Sequence, residues 1–229
     1  MTKQKIVIGF SGGMDSTTML GVLLAHDFEV HACNFQYGSK HNQYESYAIG
    51  SIHKYYKRIG QPFELYHFDL SDIFKFTKSN LLKSGGEIPE GHYESENMKL
   101  TVVPGRNMIF GSIMAGLAES IGAEYIALGV HQGDHAIYPD CRENFIKAFN
   151  HAVELSSDKK VHVKTPLLKL NKTTILKAGY NLLNVPPYHL TRTCYKDQKL
   201  SCGKCGSCQE RLEAFANIGK IDSIEYENR

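Results

Sequence analysis

Charge of one sign is scarce in this chain. Its 26 lysines and arginines almost cancel 24 aspartates and glutamates, leaving a net charge of +2. A dedicated nucleic-acid binder carries a pronounced basic excess, so no direct nucleic-acid partner is expected. Long apolar runs are missing as well: nothing approaches the ~20 residues that cross a bilayer, and no membrane partner is expected. No signal-peptide pattern precedes the first apolar run, which points to the cytoplasm. Internal repeats and low-complexity tracts are absent too. What remains is ordinary. At 229 residues, 42% hydrophobic and 22% charged, the chain suits one large domain or a domain with an appendage, and it can fill a core.

The organising stretch is Ser11-Gly-Gly-Met-Asp-Ser16, directly after the apolar run Ile6-Val-Ile-Gly-Phe10. A β-branched run that breaks into a glycine pair and then a helical pattern reads as strand, loop and helix. Gly12 and Gly13 let the backbone turn tightly and bring its N–H groups close to an anion. Ser11, Ser16 and Thr17 add hydroxyl donors, and a helix starting near Ser16 points its positive end at the same spot. This is a cradle for phosphate oxygens; the plain alternative is a strand-to-helix turn of small residues. It is not a Walker A loop, because no lysine follows the glycines. The motif resembles the pyrophosphate loop of the ATP pyrophosphatases, which split ATP between its α and β phosphates. That resemblance implies that Met14 lies in the ATP loop and that Asp15 faces a magnesium-bound pyrophosphate.

The rest alternates strand and helix. Helices are expected over 17–25, 42–59, 108–121, 143–155, 172–181 and 209–218, and strands over 30–35, 63–69, 124–130 and 161–164. Such alternation predicts an α/β fold, a parallel sheet flanked by helices. Ligands of open α/β sheets bind beyond the strands' carboxyl ends, which makes Asn34 and Phe35 adenine- or ribose-site candidates. Residues 70–101 break the rhythm, with Gly85-Gly86, Pro89 and Gly91 and weak periodicity. A stretch this long is a mobile or ligand-covering loop, or an interface arm. The body is expected to span 1–185, with a C-terminal metal-binding segment, 186–229, packed on it.

Four of six cysteines fall in Cys194, Cys202, Cys205 and Cys208, spaced Cys-x7-Cys-x2-Cys-x2-Cys. Paired knuckles with intervening glycines present thiolates to one tetrahedral ion, and four soft ligands leave no open position. One structural Zn2+ per chain is expected. The competing readings are an iron–sulfur cluster, since Cys-x2-Cys-x2-Cys also begins a ferredoxin run, and free thiols.

Three further stretches join the loop and the cysteines: Val103-Pro-Gly-Arg-Asn107, Gly129-Val130 with Tyr138-Pro-Asp-Cys-Arg142, and Thr165-Pro-Leu167 followed by Lys172. Together they resemble, in order and over nearly the whole chain, the 7-cyano-7-deazaguanine synthases of queuosine precursor synthesis. The resemblance implies an adenine-nucleotide-hydrolase-like, Rossmann-like fold and zinc on the four cysteines. It also implies conversion of 7-carboxy-7-deazaguanine and ammonia to the nitrile with ATP and Mg2+. Ser11, Gly12, Gly13, Asp15, Ser16 and Thr17 would hold the pyrophosphate. Arg106 would pair with a phosphate or the substrate carboxylate, with Asn107 beside it; the alternative is a surface ion pair. Lys172 is a phosphate partner or a solvated helix charge. Asp134 and Asp140 are the candidates for accepting the base's N–H donors, with Tyr138 as a shaping ring; either carboxylate could instead cap a local turn. A homodimer is implied.

Cys141, beside Asp140 and Arg142, reads as a nucleophile or a residue that helps orient substrate or, more plainly, as a small buried side chain, and Cys33 as core. Many family members carry Gly-Val-Cys and Ser-Gly where this chain has His131 and Ala136-Ile137. The second change is expected to alter the wall beside the base, and an amide-forming relative is the alternative activity. Two rivals stand further off. A tRNA thiolase would need catalytic cysteines that the metal site consumes, and a nucleotide-sensing zinc module would bind ATP without using Asp15.

Overall fold

Residues 3–227 are described by the computed structural model, in which five strands form one sheet in the order β3-β2-β1-β4-β5. The apolar run near the start becomes β1, Lys5–Gly9, with Ile6, Val7 and Ile8 all buried. Burial on both faces is what a central parallel strand demands. β2 (Glu29–Gln36) pairs with it from Lys5↔Glu29 to Gly9↔Cys33, and β3 (Glu64–Asp69) lies outside β2. On the other side β4 (Tyr125–Ala127) pairs with β1, and β5 (His162–Lys164) closes the edge. Every pairing is parallel.

Helices cover both faces. α1 (Met14–Ala25) and α2 (Asn42–Arg58) bury Met19, Leu20, Ile49, Ile52 and Tyr56 against Ile6, Ile8, Val30 and Ala32. After the four-residue α3 (Ser71–Phe74), α4 (Arg106–Ile121) and α5 (Glu143–Ser156) pack Met114, Ala118, Ile146 and Phe149 with Val7, Cys33 and Ile126 on the opposite face. α6 (Lys172–Tyr180) lies against α1, and α7 (Gly206–Asn217) against α6. The order reverses between β1 and β4, so their carboxyl ends diverge and leave a crevice.

Three sequence expectations change in detail. α1 starts at Met14, two residues before Ser16, because Gly13 already takes the extended capping conformation. β4 stops at Ala127 where 124–130 was expected. β1 ends at Gly9, and beyond it Leu128 keeps only a bond from its N–H to the Lys164 carbonyl. Residues 70–101 are built rather than open. Leu81, Leu82, Ile88, Tyr93 and Met98 are buried, and Lys40 Nζ donates to the carbonyls of Asn80, Gly85 and Gly86.

α7 is anchored by a charge. Arg211 is fully buried and spends all five guanidinium donors: on Asp222 Oδ2 (2.6 Å) and Oδ1 (2.9 Å), Thr191 Oγ1 (2.6 Å), Thr193 Oγ1 (3.0 Å) and the Tyr188 carbonyl (3.0 Å). Removing one member of a buried pair leaves the other charge uncompensated, at about 3–5 kcal/mol. Asp222→Asn is therefore expected to lower the urea midpoint by a corresponding amount with an unchanged denaturant slope; a midpoint equal to wild type would show that the pair adds nothing.

Candidate functional site

The crevice between β1 and β4 is floored by the glycine loop. Gly12 adopts a left-handed conformation (φ 69°), and a Cβ there would come within 2.9 Å of Ile49 Cγ1. Its carbonyl accepts from the Arg192 N–H at 2.9 Å. Ser11 Oγ and Ser16 Oγ sit 3.2 Å apart, and Ser16 Oγ also donates to the Gly13 carbonyl. The first amides of α1 have no partner within their own helix, so they and its positive end face the crevice. Ser11, Gly13, Met14, Asp15 and Ser16 line it. Thr17 does not: it is fully buried and turned into the core. Gly12 also lies off the lining, shaping the loop from behind.

Asp15 is the centre of a charged cluster. Its Oδ2 is 3.3 Å from Lys172 Nζ and 3.8 Å from His131 Nε2, while Oδ1 is buried without a hydrogen-bond partner among the described residues. Lys172 is only 5% exposed, too buried for a solvated helix charge, and also meets Glu210 Oε2 at 2.6 Å. Burial works against the charged form of both residues. Lys172, with help from His131, nevertheless holds the Asp15 carboxyl below its usual value, and Asp15 with Glu210 raises the Lys172 ammonium. His131 accepts the Gly133 N–H at Nδ1 (3.1 Å), which leaves its proton on Nε2, between Asp15 and Asp134 Oδ1 (3.6 Å). Asp15 and Glu210 thus flank one ammonium, and Asp134, beyond His131, adds a third carboxylate to the cluster. That excess of negative charge, with Oδ1 of Asp15 free, suits a divalent cation arriving with a polyphosphate.

Across the cleft the sign changes. Arg106, first residue of α4, donates to Tyr37 Oη at 3.2 Å, and its guanidinium carbon sits 5.6 Å and 5.9 Å from the ring centres of Tyr37 and Tyr138. No carboxylate among the described residues forms an ion pair with it, so it is not the surface ion pair that the sequence left open. A planar cation with free donors, held between aromatic faces, suits a carboxylate or phosphate.

The other predicted residues divide. Asn34, Phe35, Asn107, Asp134 and Tyr138 line the cleft; Phe35 stacks on Phe110 at 4.2 Å. Asp140 does not line it. Its Oδ2 accepts the Asn107 N–H at 2.9 Å and so caps the start of α4. Asp134 also makes local bonds, from Tyr93 Oη (2.8 Å) and the His131 N–H (3.0 Å), but a carboxylate offers about four acceptor sites and two stay free. Burial, reinforced by Asp134 and Asp140, pushes the Cys141 thiol far up, and Cys141 lines the cleft with its Sγ accepting from Asn107 Nδ2 at 3.2 Å. Burial likewise pushes Cys33 up to about 12. Ile137 is buried away from the cleft and Ala136 faces solvent, so of the divergent positions only His131 touches the site.

The four cysteines meet. All are buried, with sulfur atoms within 4.8 Å of one another, and the N–H groups of Lys204 and Cys205 point at Cys202 Sγ. This group could hold a metal ion. Thr193, Tyr195 and Ser207, interleaved with these ligands, line the cleft, as do Arg192, His41, Glu45 and Tyr93. Reading the sequence missed all of these, along with Glu210. For Arg192, Thr193, Tyr195, Ser207 and Glu210 the one available signal was proximity in sequence to the cysteines, and nothing in the pattern placed that cluster beside the glycine loop; His41, Glu45 and Tyr93 carried no signal.

A family model described as queuosine biosynthesis protein QueC matches residues 5–219. The chain is 43% identical over 230 residues to the 7-cyano-7-deazaguanine synthase of Pseudoalteromonas atlantica, covering 98% of this chain and 99% of that one. It is 43% identical over 225 residues to the enzyme of the same name from a Marinomonas species, again covering 98% and 99%. Among solved structures it resembles the U34-tRNA thiolase NcsA from Methanococcus maripaludis with its [4Fe-4S] cluster. There the TM-score is 0.50 at 19% identity, covering 95% of this chain and 67% of that one, a likeness of fold alone.

Proposed function

The chain belongs to the QueC family of queuosine biosynthesis proteins, and from that premise we propose that it converts 7-carboxy-7-deazaguanine and ammonia to 7-cyano-7-deazaguanine with ATP. The observation that carries this reading is the division of one cleft. A glycine loop with Asp15 and Lys172 lies on one side, and Arg106, in no ion pair with a carboxylate among the described residues, lies on the other.

A carboxylate is a poor electrophile because its leaving group would be oxide. Attack of its oxygen on the α-phosphate makes an acyl adenylate, whose AMP departs readily. Ammonia then gives the amide, and a second adenylation on the amide oxygen lets that oxygen leave as AMP. Positioning and charge neutralisation carry both halves. The amides of α1 with Ser11 and Ser16 hold the pyrophosphate, and Lys172 neutralises charge beside it. Asp15 Oδ1 would take the magnesium ion that accompanies ATP and shields its phosphates. Arg106 orients the substrate carboxylate, and Asn107 stands beside it. Asp134 accepts the N–H groups of the base, while Tyr138, held by Thr101 Oγ1 at 2.9 Å, shapes the wall.

Cys194, Cys202, Cys205 and Cys208 would hold one structural zinc: their sulfurs are buried together, four soft donors close the shell, and N–H groups satisfy the thiolates. The enzyme would act in the cytoplasm on free small molecules, as a homodimer. The near-zero charge supports the absence of nucleic acid, and among the described residues no helix is long and apolar enough to cross a membrane.

Incubation with the acid, ATP, magnesium and ammonium, followed by mass spectrometry, is expected to show transient amide, then nitrile, with AMP and pyrophosphate. Amide as the end product would make this an amide-forming relative. ADP in place of AMP would mean the glycine loop binds ATP in another way.

A further inference from the structure

The cleft wall formed by the end of β2 and the start of α2 carries two groups that the reaction above leaves idle. His41, the residue before α2, is 4% exposed and lines the cleft, yet its Nδ1 is buried with no hydrogen-bond partner among the described residues. Its other nitrogen, Nε2, faces Oε1 of Glu45 at 3.4 Å, and Glu45 lines the cleft as well. A ring whose Nε2–H faces a carboxylate has its lone pair on Nδ1. The ligand that this atom awaits is therefore a hydrogen-bond donor.

The start of α2 does not turn the spot into an anion site. The Asn42 N–H is spent on the Ser39 carbonyl, and those of Tyr44 and Glu45 on the His41 carbonyl. Glu45 adds a negative charge, and the surrounding walls are aromatic, with the Tyr195 ring centre 5.5 Å from that of His41. A carboxylate, a lone-pair nitrogen and ring faces suit a small cation with N–H groups.

The location suits it too. Tyr37 Oη accepts from Arg106, the group assigned to the substrate carboxylate. Tyr37, His41, Glu45 and Arg106 all line the one cleft, and burial pushes the Tyr37 hydroxyl up, with Arg106 working against that shift and Glu45 with it.

We propose that His41 and Glu45 form the subsite that takes up ammonium and releases it as ammonia, with His41 Nδ1 accepting the proton; this rests on the functional reading above. Ammonium predominates near neutral pH and has no lone pair with which to attack. One N–H bond breaks, its electron pair stays on nitrogen and the proton moves to His41 Nδ1. The resulting imidazolium keeps Nε2–H toward Glu45, which stabilises it as a carboxylate behind a catalytic imidazole does. The lone pair then forms the C–N bond to the acyl carbon while the C–O bond to AMP breaks, and AMP leaves with that electron pair. A second proton leaves the new nitrogen to water, giving the neutral amide.

The test uses the metal-loaded full chain with the acid and Mg-ATP, and compares ammonium chloride with hydroxylamine, which is largely unprotonated near neutral pH. A positioned general base contributes roughly 10²–10⁴-fold. Glu45→Gln and His41→Phe are expected to lose about 100-fold or more in kcat/KM for ammonium and less than about 3-fold in hydroxamate formation, with the KM for ATP unmoved. If His41→Phe fails to fold, Glu45→Gln, equal in size, carries the test. Equal losses with both nucleophiles overturn the proposal. So does a raised KM for ATP with ammonium kinetics unchanged, which would give Nδ1 to the adenine amine. A wild-type protein that uses neither nucleophile overturns the functional reading itself, and the proposal with it.

Discussion

Asp15→Asn is expected to cut pyrophosphate release by on the order of 10²–10³, the scale of losing one preorganised charge partner at a reacting phosphate. The side chain has two jobs in the proposed reaction, one per oxygen. Oδ2 holds Lys172 at 3.3 Å, and Oδ1 stands free for the cation that arrives with ATP. An amide keeps the shape and removes the charge. Folding should hardly notice, because Lys172 retains Glu210 at 2.6 Å. A thermal midpoint within about 4 °C of wild type, roughly 1 kcal/mol for a chain of this size, is the expected control.

The pH dependence of stability follows from the same pair. Asp15 is lowered, so its contribution is present above the ordinary carboxylate range and fades as pH falls through its folded value. Lys172 is raised, so its contribution is present below the ordinary ammonium range and fades as pH rises through its own. Between those limits the variant and the wild type should differ by a constant amount. Turnover within a few-fold of wild type would remove Asp15 from the chemistry.

How much of this could be read from residues alone depended on the range of the interaction. The glycine loop, the alternation of strand and helix and the cysteine spacing are local patterns, each within a dozen residues or so, and the sequence exposes them. Lys172 was legible only as a resemblance; its burial comes from Asp15 and Glu210, one from each end of the chain. Asp140 shows the opposite failure. A carboxylate beside a proline turn suggests a ligand, but the fold brings it to the first turn of α4, where an unsatisfied N–H takes it. Residues 70–101 lack periodicity because they fill gaps between elements, placing Tyr93 against Asp134 and Lys40 beneath the Gly85-Gly86 turn. Such segments carry no repeat for a sequence pattern to reveal.

Metal removal is expected to have the larger structural effect and to reach the glycine loop proposed to hold ATP. Purified protein should carry about one zinc per chain, as four thiolates in a closed shell require. Binding to such a site is worth about 10–16 kcal/mol in apparent free energy, at least as much as the roughly 5–15 kcal/mol that holds a whole domain together. Cys205→Ser, or prolonged chelation, should therefore unfold the C-terminal segment rather than loosen it. The damage cannot stay local. Arg192 donates its N–H to the Gly12 carbonyl of the glycine loop, and its guanidinium donates to the carbonyls of Lys196, Gln198 and Lys199, which lead into the second cysteine. Lys172 leans on Glu210, two residues after Cys208. Loss of the ion should thus raise hydrogen exchange in α7 and around Gly12 together, and weaken ATP binding although none of the four clustered cysteines lines the cleft. Exchange confined to residues near the cysteines, with ATP affinity intact, would show that the segment is a separate appendage. Iron and acid-labile sulfide in place of zinc would replace the ion in this account but leave the route from the cysteines to the glycine loop as it stands.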